Sequence, residues 1–312
     1  MDLPRITIVT PCFNGARYIG EAVESLRRQA YPDLEHIVMD AGSIDGTLAL
    51  LGGFPDIRVV SEPDEGAHDA MNKGIALARG DVIGFLNTDD LYPDGLLLAV
   101  GRAFAEDPAL DVAVGGSIVF QDGEGGRRVV VARRYAAGNG FSLAELAFGA
   151  PGINGRFFRR RVFEQVGTFD NRYYIAADRD FLLRVAFRGC AARNLGRIGI
   201  HYRLHSDSAT INAERRQLET ITREHVRMSR ELVTKRSGVL RRRLLAWHAF
   251  EAIKLAWICL QTGRPGEASR VLIGLGLRHP FLPFHVARGL FMRRGVRRTE
   301  RRDTATVAAT LV

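Results

Sequence analysis

Two adjacent carboxylates, Asp89 and Asp90, stand where an apolar run stops. Val82–Leu86 reads VIGFL, and Asn87-Thr88-Asp89-Asp90 follows at once. Like charges this close repel, so a positive group is expected beside them. Mg²⁺ or Mn²⁺ suits that pattern, because both favour oxygen ligands and are commonly held by one or two carboxylates together with phosphates. The plainer reading of the pair is a solvated strand-to-helix turn in which Asp90 caps the next helix. A second acidic pair, Asp178 and Asp180, opens a helical stretch in the second half, and Arg203 and His205 share the segment HYRLHSDS.

These residues need elements to hold them. Arg5–Thr10 (RITIVT) is a β-branched run that breaks at Pro11, Leu34–Asp40 (LEHIVMD) is a second strand, Ile57–Glu62 a third, and residues 82–86 a fourth. Helical spacing fills Ala16–Gln29, residues 47–52 and Ala70–Arg79, with Pro63–Asp69 as a loop. Strand and helix alternating at short spacing predict an α/β fold, a mostly parallel, Rossmann-like sheet flanked by helices. Ligands of such sheets bind outside the carboxyl ends of the strands.

Polar clusters sit at each of those ends: Thr10, Pro11, Phe13 and Asn14 after the first strand, Asp40 and Asp45 after the second, Glu62 and Asp64 after the third, Asn87 to Asp90 after the fourth. Together they make a nucleotide-sized crevice. Asp40 is placed to bond a base N–H or a ribose hydroxyl. Asp45 fits a capped turn and a ligand contact equally well. Asp69 and Lys73 stand at i,i+4, the spacing of a helix ion pair. There is no GxxxxGK[ST] loop and no GxGxxG after the first strand, so two common nucleotide-binding devices are excluded.

After Asp107 the alternation loosens. Val112–Phe120, Arg128–Arg134, Ile153–Phe158 and Arg197–His205 are strand-like and are expected to add antiparallel strands on the acceptor side. Short helices are predicted over Phe141–Phe148 and Arg160–Val166, the run Arg159–Arg161 being a solvated helix start, and a clearer helix over Asp178–Arg188. Further helices cover about 211–236, 239–261, 265–277 and 281–291.

The chain of 312 residues, 46% hydrophobic and 25% charged, is ordinary for a globular protein. Cys12, Cys190 and Cys259 form no CxxC pair or disulfide framework, which argues for a reducing cytoplasm and against zinc. The opening MDLPRITIVT lacks a basic region followed by a long apolar run, so no signal peptide is expected. The net charge of +9 is unevenly placed: residues 1–210 carry −4, residues 211–302 carry +14.

Taken together, TPCFNGARYI, DAGSIDGT, SEPDEGAHDAMNKGIALARGD, FLNTDD, FFRRRVFEQVGTFD, AADRDFLLR and HYRLHSDSAT, in this order over roughly residues 5–212, resemble the family 2 glycosyltransferases of the GT-A fold. The resemblance implies a nucleotide-diphosphate sugar donor and a divalent metal, Mg²⁺ or Mn²⁺. Asn87–Asp90 matches the metal motif, with Asp90 as direct ligand and Asp89 facing the donor sugar or ribose; Asn87 replaces an acid common at that position. Asp40 matches the nucleobase contact, with Glu62 and Asp64 lining the same pocket. Asp178 matches the base that deprotonates the acceptor hydroxyl, although Ala177 stands where the family has Glu, and Asp180 is left to capping. On its residues alone Asp178 reads as a carboxylate stabilised by the helix macrodipole. His205 is placed to reach the metal or diphosphate, and Arg203 to neutralise the departing diphosphate. The implied reaction is an inverting displacement onto a hydroxyl, in cell-surface glycan or glycolipid assembly, or onto a polyprenyl phosphate. The alternative is a catalytically silent sugar-nucleotide-binding or membrane-scaffold protein of the same fold.

The expected organisation is a transferase domain over 1–210, a basic amphipathic helical region over 211–302, and a tail over 303–312. Ala246–Leu260 is too short and too charged to span a bilayer. With Arg241–Arg243, Arg293-Arg294, Arg297-Arg298 and Arg301-Arg302, the region suits an anionic membrane surface on the inner face of the plasma membrane, or else a helical cap with a charged face. Nucleic acid is not expected, since no recognised motif accompanies the charge.

Overall fold

A computed structural model of the chain describes residues 2–123, 127–136, 138–149, 151–205, 215–278, 284–290, 292–293 and 310–311. The junction at 210/211, residues 206–210 of the last matched segment, most of the tail, and Arg294, Arg297, Arg298, Arg301 and Arg302 lie outside these residues.

The first half alternates as its sequence pattern requires: β1 (Ile6–Cys12), α1 (Ile19–Arg27), β2 (Leu34–Asp40), α2 (Thr47–Leu51), β3 (Arg58–Ser61), α3 (Ala67–Leu77), β4 (Val82–Phe85) and α4 (Leu96–Glu106). Strands β3, β2, β1 and β4 pair in parallel in that order. Two boundaries differ from expectation. β1 runs on through Pro11, whose missing N–H is tolerated, and both Pro11 and Cys12 are buried. α3 begins at Ala67, so His68 and Asp69 belong to its first turn. Asp90 does not cap a helix, because α4 starts only at Leu96.

The second half adds β5 (Val112–Asp122), β6 (Arg128–Arg134), α5 (Leu143–Phe148), β7 (Arg156–Arg159), α6 (Arg160–Val166), α7 (Ala177–Arg188) and β8 (Ala192–Arg203). β7 pairs antiparallel with β4 and β5, and β6 antiparallel with β5, as expected of these additions. β8 differs: it lies parallel to β5. A two-residue β9 (Thr310–Leu311) pairs with β6. Three glycines let these strands close. A Cβ on Gly115 would sit 2.5 Å from the Gly199 Cα, and Gly155, at φ +78, presses on the same point. That closeness sets residues 153–155 against β5 and β8.

The run Arg159–Arg161 is half-buried and tied to the protein, not a freely solvated helix start. Arg159 donates to the carbonyls of Leu110 and Phe104, Arg160 to Gly80, and Arg161 to the carboxylate of Asp111. The three guanidinium groups fasten β7 and α6 to the turns around β4 and β5.

The remaining helices are α8 (Arg215–Thr234), α9 (Gly238–Gln261) and α10 (Pro265–Arg278), and residues 284–290 are also helical. Of these, α8 and α9 are not a layer apart from the sheet, while α10 packs on α9 in smaller clusters. Met228, Val233, Leu244, Leu245 and Trp247 join one buried cluster with Phe85, Phe158, Phe181 and Val9. From Leu244 to Cys259, α9 is covered on most of its sides, which is why the apolar run 246–260 shows no polar face. Among the described residues no helix is long and apolar enough to cross a membrane.

Candidate active site

The ends of β1 and β2 are stitched together by short polar side chains. Asn14, in the left-handed region at φ 50, accepts from the Ile44 N–H at 3.0 Å, and its own N–H reaches Ser43 Oγ at 2.8 Å. Asp45 accepts from the N–H groups of Thr47 and Ala16 at 3.1 and 2.9 Å, so it is both a turn cap and a tie to the β1 loop. Asp40 is 1% exposed and accepts from the N–H groups of Gly42 and Ser43 and from the hydroxyls of Ser43 and Ser61. Burial pushes its pKa up, but these donors outweigh it and leave it lowered. The carboxylate therefore shapes the loop and is not open to a base. Thr10 is likewise turned inward, bonded at 2.9 Å to the buried His36, whose pKa burial lowers to about 4. Phe13 and Ile44 are the large apolar groups these loops leave exposed.

The β3–α3 loop holds the next acids. Asp64 accepts from the Gly66 N–H at 2.8 Å in a local turn. Lys73 reaches Glu62 at 3.1 Å, the Pro63 carbonyl at 2.6 Å and Asp69 at 3.5 Å. Asp69 also accepts from Asn171 at 2.9 Å, so it ties α3 to the 169–176 loop and is not a ligand contact. Glu62 remains exposed.

At the end of β4 the two aspartates divide differently from expectation. Asp90 is fully buried. Its Oδ1 accepts from the Arg203 N–H at 3.0 Å, and its Oδ2 from Asn154 Nδ2 at 3.1 Å, with Asn87 Nδ2 at 3.4 Å. Burial, and then the charge of Asp89, push its pKa well above the carboxylate range. Asp89 is the acid that opens to the crevice, and its Oδ2 lies 2.9 Å from Nε2 of His205. This meeting follows from topology: Leu91 bridges to His201, so the end of β8 runs across the end of β4. Arg203 does not face the crevice. It is 1% exposed, sandwiched between the rings of Tyr18 and Phe120, and paired with Glu21 at 2.9 Å and with Asp122. Its guanidinium is neutralised by the protein itself, so it is no counter-charge for a diphosphate.

Oxygen and imidazole ligands of Asp89 and His205 suit a divalent cation. One further observation fits. The Oδ1 of Asn154 is buried without a hydrogen-bond partner, beside Asp90. Among the described residues no three His, Cys, Asp or Glu side chains cluster as a complete metal cage, so ligand oxygens would complete the shell, as is usual for Mg²⁺.

Asp178 lies in the first turn of α7. Its Oδ1 is 2.9 Å from Nε2 of His68, and its Oδ2 accepts from the Ile153 N–H at 3.0 Å. Asp180 points elsewhere, to Arg184 at 2.8 Å. The loop before α7 is held from both sides. Asn72 on α3 exchanges two hydrogen bonds with the Phe169 backbone, each 2.9 Å, and Glu224 on α8 accepts from the N–H groups of Tyr174, Ile175 and Ala176 at 2.7, 3.0 and 2.8 Å. Asn154 and Glu224 lie outside every motif of the sequence, and His68 stands inside the segment SEPDEGAHDAMNKGIALARGD without a role of its own there. Cys12 is a buried filler, its thiol pushed by burial up to about 12.

The family model "Glycosyl transferase family 2" matches residues 7–167. An uncharacterized glycosyltransferase of Mycobacterium tuberculosis is 34% identical over 190 residues, 59% of this chain and 69% of that protein. A PGL/p-HBAD biosynthesis glycosyltransferase of Mycobacterium bovis is 31% identical over 191 residues, 59% of this chain and 70% of that protein. Among solved structures, S. aureus TarS 1-349 in complex with UDP-GlcNAc aligns with a TM-score of 0.64 at 15% identity, over 96% of this chain and 92% of that one. The mannosyltransferase PcManGT of Pyrobaculum calidifontis, in complex with GDP-Man and Mn²⁺, aligns with a TM-score of 0.57 at 18% identity, over 97% and 88%. These likenesses show the GT-A type of α/β fold.

Proposed function

Because the chain belongs to glycosyl transferase family 2 and is a glycosyltransferase, we propose that it moves a sugar from a nucleotide-diphosphate donor to an acceptor hydroxyl with inversion, in cell-surface glycan or glycolipid assembly. One observation carries this reading: the consecutive residues Ile153 and Asn154 donate to Asp178 and to Asp90, which holds the acid at the end of α7 beside the acids at the end of β4. An inverting transfer needs such a pairing, a base on the acceptor side and charge stabilisation at the leaving group. The loops after β1, β2 and β3, with Phe13, Ile44 and Glu62 at the mouth, orient the nucleotide. Asp178 takes the proton of the acceptor hydroxyl as that oxygen bonds the anomeric carbon and the bond to the diphosphate oxygen breaks. A divalent cation held by Asp89 and His205, with Asp90 and Asn154 behind them, would stabilise the departing nucleotide diphosphate. The Mn²⁺ in the PcManGT complex supports this part of the reading.

The test is release of nucleotide diphosphate from a panel of UDP- and GDP-sugars with Mn²⁺, with and without added glycosides. Asp178→Asn is expected to lower kcat by about 10²–10⁴-fold, the range of a lost general base, with donor KM little changed. A wild-type protein that releases no nucleotide diphosphate, or an Asp178→Asn variant as fast as wild type, overturns the reading.

The acceptor side suits a membrane-borne substrate. Trp257 (60% exposed), Ile273 (63%), Leu277 (83%) and Phe284 (60%) present large apolar groups on α9, α10 and residues 284–290. Arg241 and Arg288 both bear on His285, whose pKa burial and these two charges lower, so basic groups stand beside Phe284. Exposed apolar side chains with arginines near one end of the patch fit an anionic bilayer surface, which the reading takes to be the inner face of the plasma membrane. Sedimentation with phosphatidylglycerol vesicles, compared with phosphatidylcholine alone, tests this. Binding that needs the anionic lipid and is lost in Ile273→Ser/Leu277→Ser is expected; equal recovery in the supernatant with both vesicles overturns it.

A further inference from the structure

The closest partner of Asp178 is a histidine that belongs to the donor side of the crevice. His68 sits in the first turn of α3, immediately after the loop that carries Glu62 and Asp64. Its Nε2 lies 2.9 Å from Asp178 Oδ1. Its ring packs against Phe169 at 5.3 Å, and the backbone of Tyr174 favours its protonated form. The side chain is largely buried, at 18% exposure. The charged groups that face it are Asp178 of α7 and Glu224 of α8.

We infer that His68 is the positioning residue of Asp178: it fixes the plane of the carboxylate from the donor side, and it does so as an imidazolium. This rests on the reading of Asp178 as the base. The Ile153 N–H holds one carboxylate oxygen and His68 the other, so the carboxylate cannot rotate, and each oxygen keeps a lone pair for the acceptor. Fixing the reacting group in this way is worth much of the rate, and a misplacement of about 1 Å can cost about 10²-fold.

The protonation state follows from the charges around the ring. Nε2 stands at hydrogen-bond distance from the Asp178 carboxylate, and Glu224 adds a second negative charge, so the cationic ring is the form its surroundings favour. The environment agrees. Burial pushes the His68 pKa down, but Asp178, Glu224 and the Tyr174 backbone outweigh it, and the result is raised above the ordinary value. The sign follows. A histidine raised by its partners holds them fully below its ordinary pKa and loses one of them as pH rises through the raised value. The wild-type rate should therefore fall on the alkaline side as His68 loses its proton. An amide in its place carries two N–H donors at every pH, so His68→Gln should keep a substantial rate while losing that alkaline fall.

The experiment reads nucleotide-diphosphate release, with water as the acceptor, from about pH 6 to about pH 9, a window that brackets histidine titration, for wild type, His68→Ala, His68→Gln and Asp178→Asn. Thermal melts confirm that each is folded. His68→Ala is expected to lose about 10- to 100-fold in kcat with donor KM unchanged, and His68→Gln to recover most of that with a flat alkaline limb. In parallel, the ring resonances of His68 followed by NMR should titrate above the ordinary histidine value in wild type and at a lower pH in Asp178→Asn. An active wild type with an unchanged His68→Ala variant, an alkaline limb that survives in His68→Gln, or a His68 that titrates at or below the ordinary value overturns the inference and leaves the general function standing. Absence of release by the wild type overturns the function and this inference with it.

Discussion

Asp90 and Asp178, far apart in the chain, are held by two consecutive residues: the side chain of Asn154 donates to Asp90 at 3.1 Å and the backbone of Ile153 donates to Asp178 at 3.0 Å. The short segment between α5 and β7 thus sets the spacing between the acid in the first turn of α7 and the acids at the end of β4. Its own position depends on the close approach of Gly115, Gly155 and Gly199.

That dependence is open to test. In Gly115→Ala the new methyl would meet backbone atoms of Gly199, which cannot give way as a flexible side chain does. Overpacking of this kind costs about 1–3 kcal/mol. The variant should melt at lower temperature, and, because the 153–154 segment shifts, its kcat should fall while its donor KM stays near that of wild type. Calorimetry and steady-state kinetics together check both.

Metal dependence should follow Asp89 and His205, which open to the crevice. Chelation with EDTA is expected to abolish nucleotide-diphosphate release and Mn²⁺ to restore it. Asp89→Asn and His205→Ala should each weaken Mn²⁺ binding by at least about tenfold, equivalent to about 1.4 kcal/mol. Titration calorimetry with Mn²⁺ and the nucleotide diphosphate reads this without relying on activity.

Glu224 joins the C-terminal helices to the catalytic loop by three N–H groups. In Glu224→Gln the charge is lost and one side-chain oxygen becomes a donor facing donors. Hydrogen bonds to a charged group contribute about 1.5–3 kcal/mol each when made, so the melting temperature should drop by several degrees. Amide hydrogen exchange should accelerate at Tyr174–Ala176 before it does in the β1–β4 core.

Acid sensitivity should trace to Asp40. Its pKa is lowered in the folded chain: burial acts against this, but the donors from Ser43, Ser61 and Gly42 prevail. A depressed carboxylate stabilises the fold fully above its unfolded pKa, near about 3.9, and that contribution disappears as pH falls through the folded value. Ser61→Ala removes one donor, so its acid-unfolding midpoint should lie at higher pH than that of wild type. Circular dichroism against pH measures it.

Strand-helix alternation through residue 90, the parallel sheet, the polar residues at the strand ends and the family were all legible in the sequence, because β-branched runs, helical spacing and strand-end polar clusters are local signals carried by residues near one another in the chain. Local signals also set the limits. Arg203 reads in sequence as a counter-charge for a diphosphate, yet its partners Glu21 and Asp122 come from α1 and β5, distant in the chain. Asp90 looked like the open ligand and Asp89 its companion, and only the crossing of β8 over the end of β4 buries one and leaves the other to His205. The basic, apolar C-terminal third looked like a surface layer, yet α8 and α9 share the core of α7. The sequence by itself determined which residue types gather at the strand ends. Tertiary structure alone decided which of them stay open to a ligand, because burial and a second hydrogen-bond partner are properties of segments that meet only when the chain is folded.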